Sequence, residues 1–245
     1  MLGLARNVGP AYVSMREGKW DRKKFKGAQL AGTTLGIVGL GRVGRAVAKR
    51  ARAFDMHVLA LDPFLARETA RKLGVEMVEE LEEMLPRCDY LTVHVPENEN
   101  TEGLISDEEL NLIKPGARLI NCARGSIVDV EAVRDALEDG RLAGAAFDVY
   151  EDEPPEEFDL AQDDRVLATP HLGASTGAAQ LAVGRGAAEQ LVNALTKNEF
   201  QNALNVTIPP PEVMEWLRPY CDLSRKLGLA AAQLNRARPN SLEVN

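Results

Sequence analysis

From residue 34 onward, short uninterrupted apolar runs alternate with stretches in which apolar residues recur every three or four positions. The runs cover 34–38, 57–61, 90–95, 118–120, 145–147 and 166–168, with a weaker one at 76–78. Each is a few residues long and most stop at Gly, Pro, Asp or Asn, as strands buried in a parallel sheet do. Between them, 42–54 places Val43, Val47 and Ala51 four residues apart, a stripe suited to packing on a sheet. Ser106 stands at an N-cap position before Asp107-Glu108-Glu109-Leu110, and Lys114-Pro115-Gly116 stops that helix. Asp129 opens a further helix that Gly140 closes. This regular alternation predicts an α/β domain with a doubly wound parallel sheet over residues 31–176.

The two ends break the pattern. Residues 1–30 read as a connecting helix and a basic linker containing Trp20. Residues 177–200 read as a helix with Leu181, Ala188, Leu191, Val192 and Leu195 on one side. Residues 201–245 begin a further region. After Pro209-Pro210-Pro211 its apolar positions are Val213, Leu217, Tyr220, Leu223, Leu227 and Leu234, and Pro219 is expected to kink or restart the helix. The polar stretch 236–245 is expected to be disordered. Apolar stripes of this kind need partners to become stable helices.

Charge narrows the choice of partner. Lys and Arg number 29 against 37 Asp and Glu, a formal net charge of −8. The one basic cluster, Arg22-Lys23-Lys24 with Lys26, is short, so no nucleic-acid partner is expected. No apolar run approaches the roughly 18 residues of a membrane span, so no membrane partner is expected either. Cys88, Cys122 and Cys221 form no C-x-x-C, which suits a reducing, cytoplasmic location better than a disulfide scaffold.

Chemistry enters at Gly39-Leu40-Gly41-Arg42-Val43-Gly44. This G-x-G-x-x-G follows a predicted strand and opens a predicted helix, and the next strand ends at Asp62, the context of a dinucleotide fingerprint. Gly39 permits the tight turn, Gly41 lets backbone amides approach a pyrophosphate, and Gly44 lets the helix lie close to the strand. The helix N-terminus adds partial positive charge for the phosphates. Asp62 is placed to accept from ribose hydroxyls and to repel the extra phosphate of NADP. The plainer alternative is a glycine turn followed by a solvated aspartate.

Arg124, Glu153 and His171 each follow a later strand, at the edge where ligands bind in open α/β sheets. A carboxylate beside an imidazole holds and orients it, so Glu153 and His171 are a candidate acid–base pair. Arg124 is suited to a substrate carboxylate. Each also has a plainer reading: a loop residue, part of the acidic run 151–157, and a hydrogen-bonded loop histidine. On the residues alone, the plainer reading of Glu153 is favoured. His57 and His94 lie in apolar strands and read as packed residues, and Cys122 reads as a small buried thiol rather than a nucleophile. No cluster has zinc spacing, so no metal is expected.

Taken together, these motifs resemble the D-isomer-specific 2-hydroxyacid dehydrogenases. The resemblance runs from about Ala5 to Leu234 and is carried by Gly18-Lys19-Trp20-Asp21-Arg22, the glycine loop, Asn121-Cys122-Ala123-Arg124-Gly125, Asp148-Val149-Tyr150-Glu151-Asp152-Glu153-Pro154 and Pro170-His171-Leu172-Gly173-Ala174-Ser175-Thr176. The last segment is most similar to the branch that acts on 3-phosphoglycerate. The resemblance implies a Rossmann domain with NAD as cofactor and reverses the plainer reading of Glu153, because Arg124, Glu153 and His171 match the family's catalytic set. Its cofactor contacts fall on Gly39, Gly41, Arg42, Val43, Gly44, Asp62, Val95, Cys122, Ala123, Arg124, Asp148, His171 and Gly173. It further implies reversible hydride transfer between NAD and a small 2-hydroxy acid. The substrate would be 3-phosphoglycerate, giving 3-phosphohydroxypyruvate as in serine biosynthesis, and the protein a homodimer through the nucleotide domain and the Trp20 segment.

The departures from the family are equally specific. Its members begin with a substrate-binding domain of about 100 residues that has no counterpart here, so the flanking helices are expected to belong to an incomplete substrate domain. Turnover by this chain alone is expected to be feeble, and the alternative is a non-catalytic NAD-binding or dimerisation module. Residues 201–245 resemble the start of the additional C-terminal region of the long-type enzymes. Asp55 stands where relatives usually have Gly, so a strained turn is expected there.

Overall fold

Leu35 to Val38 are buried, and with Thr34 they form β1 (Thr34–Val38), a strand inside a seven-stranded sheet. The computed structural model describes residues 1–156, 159–197, 200, 202–203 and 211–234. The other strands are β2 (His57–Leu61), β3 (Glu76–Met77), β4 (Tyr90–Val93), β5 (Ala117–Asn121), β6 (Leu142–Phe147) and β7 (Val166–Ala168). Their order is β3-β2-β1-β4-β5-β6-β7, and every pairing is parallel. The chain winds outward from β1 to β3, returns, and winds the other way from β4. The switch point therefore falls between β1 and β4, where ligands bind at the strand C-termini of such sheets.

The helices are α1 (Leu2–Ala5), α2 (Val8–Arg16), α3 (Arg42–Ala53), α4 (Arg67–Leu73), α5 (Leu81–Met84), α6 (Asp107–Leu112), α7 (Val130–Glu138), α8 (Gly177–Lys197) and α9 (Pro211–Leu234). Successive strand residues face opposite sides and feed two cores. One gathers Met84, Leu91, Leu110, Leu119, Val133 and Leu137, and the other Leu4, Leu35, Ile37, Ala48, Ala51 and Tyr90. Burial on both faces explains why the strands read as apolar runs rather than alternating ones.

Local signals act as expected at the caps. Ser106 Oγ accepts from the Glu108 amide at 3.3 Å while the Glu109 carboxylate accepts from the Ser106 amide at 2.9 Å, a capping box that opens α6. Asp129 Oδ1 caps α7 through the amides of Glu131 and Ala132 at 2.9 and 3.1 Å. Asp55 adopts φ +57 in the turn after α3. The left-handed strain anticipated there is present, at a cost of about 1 kcal/mol.

Three expectations need correction. The buried face of α3 is Gly44, Ala48 and Ala51, whereas Val43 is 60% exposed. The reason is Gly44, whose absent side chain sets the helix–strand distance: a Cβ there would lie 2.1 Å from the Gly39 carbonyl oxygen. Close approach at Gly44 rotates Val43 out of the interface. Second, β4 ends at Val93, so His94 and Val95 belong to the following loop. Third, the segment before residue 31 is partly integral to the α/β domain, because Leu4 and Ala5 of α1 and Leu30 are buried in the second core.

The chain divides into two compact units, Met1–Ser175 and Thr176–Asn245. In the second unit α8 has no buried residues, and its Leu181, Leu191, Val192 and Leu195 are exposed. Helix α9 continues through Pro219 without restarting. A proline removes only one backbone donor, and the bonds on either side carry the helix onward. The stretch 236–245 lies outside the described residues.

Candidate active site

The turn after β1 is built around Gly39, which has φ +91 and whose amide donates to the Leu61 carbonyl at 2.8 Å. A Cβ at Gly39 would lie 2.7 Å from the His94 carbonyl oxygen and 2.9 Å from Val95 Cγ1. The glycine loop is thus pressed against the loop that follows β4. Gly41, the N-cap of α3, is the opposite case: apart from its chain neighbours, no atom of the described residues lies within 4 Å of the place its Cβ would take. Arg42 and Val43 are exposed beside that space.

Asp62, just beyond β2, is tied to the same loop. Its Oδ2 accepts from the Leu40 amide at 2.8 Å and its Oδ1 from the Phe64 amide at 3.0 Å. The carboxylate is held in place by the loop whose ligand it is expected to share. His94 is half-buried, with Nε2 3.1 Å from Thr92 Oγ1, and burial pushes its imidazole down to about 4. It is therefore a neutral wall of the loop at physiological pH. Open space before a helix N-terminus, a wedged glycine turn and an anchored carboxylate fit a dinucleotide.

Two strands over, buried Asn121 at the end of β5 folds the next loop: its Nδ2 donates to the Arg124 carbonyl at 2.8 Å and its Oδ1 accepts from the Ala123 amide at 3.0 Å. Ala123 is thereby buried and Arg124 exposed. Cys122, read from the sequence as a buried thiol, is exposed instead, because the strand has ended before it. Desolvation by its neighbours and the Asp148 carboxylate still push its thiol above the ordinary value.

Glu153 and His171 meet across the loops that follow β6 and β7. Glu153 Oε2 lies 2.7 Å from His171 Nδ1, and Glu153 Oε1 accepts from the Tyr150 amide at 3.1 Å. The His171 bond, then the Tyr150 amide, hold the Glu153 carboxyl below its ordinary value, with the charges of His171 and Arg124 assisting. His171 itself has φ +51, a left-handed backbone that the surroundings must enforce.

Asp148 supplies much of that enforcement. It is 7% exposed, and its carboxylate accepts from Thr169 Oγ1 at 2.6 Å and from the Leu172 and Gly173 amides at 2.7 Å each. Burial works to raise its carboxyl, but these three donors outweigh it and hold the group below the usual carboxylate range. Expected as a cofactor contact, Asp148 acts in this structure as the clamp of the His171 loop.

Arg124, Glu153 and His171 line one cleft of about 320 Å³, together with Glu97, Ser126 and Tyr150. The glycine-loop residues and Val95 lie along the same C-terminal edge of the sheet, after β1, β2 and β4. Sequence reasoning missed Tyr150 and the Ser126 Oγ to Glu97 bond of 2.6 Å. The position of Tyr150 between Asp148 and Glu153 was the only signal for it. Among the described residues, no group of three or more His, Cys, Asp or Glu is placed to hold a metal. Nor, among them, is any helix long and apolar enough to cross a membrane.

Residues 1–173 match the family described as D-isomer specific 2-hydroxyacid dehydrogenase, NAD binding domain. The chain is 42% identical over 244 residues to D-3-phosphoglycerate dehydrogenase of Methanocaldococcus jannaschii, covering 100% of this chain and 47% of that protein. It is 44% identical over 233 residues to the protein of the same name in Archaeoglobus fulgidus, covering 95% of this chain and 44% of the relative. The chain thus spans about half the length of these curated relatives or slightly less. The crystal structure of a glyoxylate reductase from Paecilomyes thermophila superposes with a TM-score of 0.78 at 32% identity, covering 84% of this chain and 62% of that one. The chain belongs to the D-isomer-specific 2-hydroxyacid dehydrogenases, and residues 1–173 form the NAD-binding domain of that family, with NAD as its cofactor.

Proposed function

We propose that this chain is the cofactor-binding and proton-transfer portion of an NAD-dependent dehydrogenase that oxidises 3-phosphoglycerate to 3-phosphohydroxypyruvate. The observation that carries the reading is the 2.7 Å Glu153–His171 pair in the cleft that Arg124 also lines. The names of the two archaeal relatives support the substrate. Bound NAD supplies a reversible hydride acceptor at its nicotinamide ring.

The protein's part is proton transfer and placement. With Nδ1–H donated to the Glu153 carboxylate, His171 presents Nε2 as the free acceptor for the proton of the substrate 2-hydroxyl. Glu153, kept anionic by that same bond, stabilises the imidazole once it is charged. Arg124 binds the substrate carboxylate through paired donors and orients the developing carbonyl. In the reductive direction His171 returns the proton. Gly39, Gly41, Gly44 and Asp62, with Arg42, Val43 and Val95 beside them, hold the dinucleotide. Cys122, Ala123 and Gly173, on the loops after β5 and β7, are proposed as further cofactor contacts.

A homodimer through the nucleotide domain is proposed as well. Tyr12 and Trp20, 62% and 79% exposed, offer apolar area for such a contact.

The test is a calorimetric titration with NAD, with NADP as control, followed in the same cell by 3-phosphoglycerate and by absorbance of reduced nicotinamide. Preference for NAD and a further heat with 3-phosphoglycerate are expected. NAD binding with no response to any 2-hydroxy acid would leave a non-catalytic NAD-binding module.

A further inference from the structure

Tyr150 touches all three loops that bear the proposed catalytic groups. Its amide donates to Glu153 Oε1 at 3.1 Å, and its hydroxyl donates to the Thr169 carbonyl at 3.1 Å. Its own carbonyl lies against Gly125, the neighbour of Arg124: a Cβ on Gly125 would fall 2.0 Å from the Tyr150 carbonyl carbon and 2.2 Å from its oxygen. We propose that Tyr150 is a positioning residue, whose hydroxyl keeps the His171 loop in register with Glu153 and Arg124. The proposal rests on the catalytic reading of Arg124, Glu153 and His171 given above.

The Thr169 carbonyl is the decisive atom. It accepts the Tyr150 hydroxyl and also the His171 amide, the latter at 3.1 Å. The tyrosine therefore holds the same tight turn that sends His171 into its left-handed backbone at φ +51. Asp148 clamps that loop at Leu172 and Gly173, beyond the histidine, and holds the Thr169 hydroxyl before it. Of the two side chains, only Tyr150 reaches the Thr169 carbonyl. With both clamps in place, an otherwise unfavourable backbone conformation at His171 is over-determined from both sides.

Two further features make the hydroxyl the part that matters. Tyr150 is partly buried against the first core, yet it also lines a cleft of about 270 Å³ whose walls include Phe147, Ala168, Glu151, Asp152 and Glu156, so the ring has open room on that side. The phenol is a lasting donor as well: burial, then the Asp148 charge, raise it above its ordinary value.

Tyr150→Phe removes the hydroxyl alone and keeps both the amide to Glu153 and the contact with Gly125. In the full chain with NAD bound, imidazole ¹⁵N NMR in mildly alkaline buffer reports which ring nitrogen of His171 carries the proton. The wild-type Nδ1 signal is expected at the protonated position, and Glu153→Gln calibrates its loss. In Tyr150→Phe the signal moves toward the Nε2–H tautomer of free imidazole, with NAD affinity unchanged within about twofold as the check on folding. Turnover with 3-phosphoglycerate falls about tenfold in kcat, the size of one part-buried hydrogen bond, with KM for NAD unchanged. An unaltered imidazole signal in Tyr150→Phe overturns the positioning role, whatever the turnover. A shifted signal together with full activity in His171→Ala would keep the positioning role and remove the catalytic reading beneath it.

Discussion

Glu153 Oε2 and His171 Nδ1 stand 2.7 Å apart although 18 residues separate them along the chain. Parallel pairing of neighbouring β6 and β7 brings the two loops to one edge of the sheet. The pair commits one imidazole nitrogen to the carboxylate and leaves the other for substrate. His171→Ala and Glu153→Gln are therefore expected to lower the rate of hydride transfer by about 10² to 10⁴. NAD affinity should stay within about threefold in Glu153→Gln, since Glu153 is not among the proposed cofactor contacts. Single-turnover absorbance of reduced nicotinamide reads the rate, and an undiminished rate in His171→Ala would place the base elsewhere.

Gly44→Ala tests the helix–strand contact behind the cofactor loop. The new Cβ would meet the Gly39 carbonyl oxygen at 2.1 Å, an approach that backbone cannot relieve without moving. A destabilisation of about 1–3 kcal/mol and at least a tenfold loss of NAD affinity are expected. Melting curves and calorimetry measure the two, and wild-type values in both would mean that α3 is not held as closely as the structure shows.

Asp62→Asn separates charge from scaffold. An amide oxygen can still accept from the Leu40 amide, as the carboxylate does at 2.8 Å. The Leu40 bond is kept, while the negative charge and the acceptor for the Phe64 amide at 3.0 Å are lost. The preference for NAD over NADP should then fall by about tenfold or more, the scale of one unscreened charge contact. Equal discrimination in the variant would assign selectivity to other residues.

Asp148 predicts an acid limit for the His171 loop. Its folded-state carboxyl is held below the unfolded value of about 3.9, so the stabilisation is complete above roughly pH 4 and is lost as pH falls below it. Hydrogen exchange at the Leu172 and Gly173 amides should stay slow down to that point and accelerate beneath it. Asp148→Asn should abolish this acid dependence. Exchange that is already fast at neutral pH would show that the clamp does not hold.

The cysteines give a simple labelling test. Cys88 is buried, and burial pushes its thiol up to about 12, whereas Cys122 and Cys221 are exposed. A thiol reagent should modify two groups in the folded protein and the third only on unfolding. Saturating NAD should slow Cys122 alone, because of the three it is the proposed cofactor contact. Equal labelling of Cys122 with and without NAD would take it out of the cofactor site.

What the sequence by itself determined was local. Strand and helix alternation needs only nearest-neighbour hydrophobic patterning, and the Ser106 and Asp129 caps need only the following three or four residues. The Gly39–Gly44 loop is legible for the same reason, since a tight turn, an open helix end and a close helix–strand contact each demand glycine at a fixed spacing. The left-handed turn at Asp55 was legible only through the family resemblance, since relatives usually have Gly there.

Tertiary structure decided the rest. On the residues alone Glu153 reads as part of an acidic run; the family resemblance makes it a catalytic candidate, and the β6–β7 pairing sets it 2.7 Å from His171. Asp148 and Tyr150 acquire their parts only through donors and acceptors about 20 residues further on, in the loop after β7. Val43 carries an apolar side chain on an apolar period, yet Gly44 sets the rotation that leaves it outside. Periodicity records which residues prefer burial. It does not record which loops a parallel sheet brings side by side, and the candidate site is made of those loops.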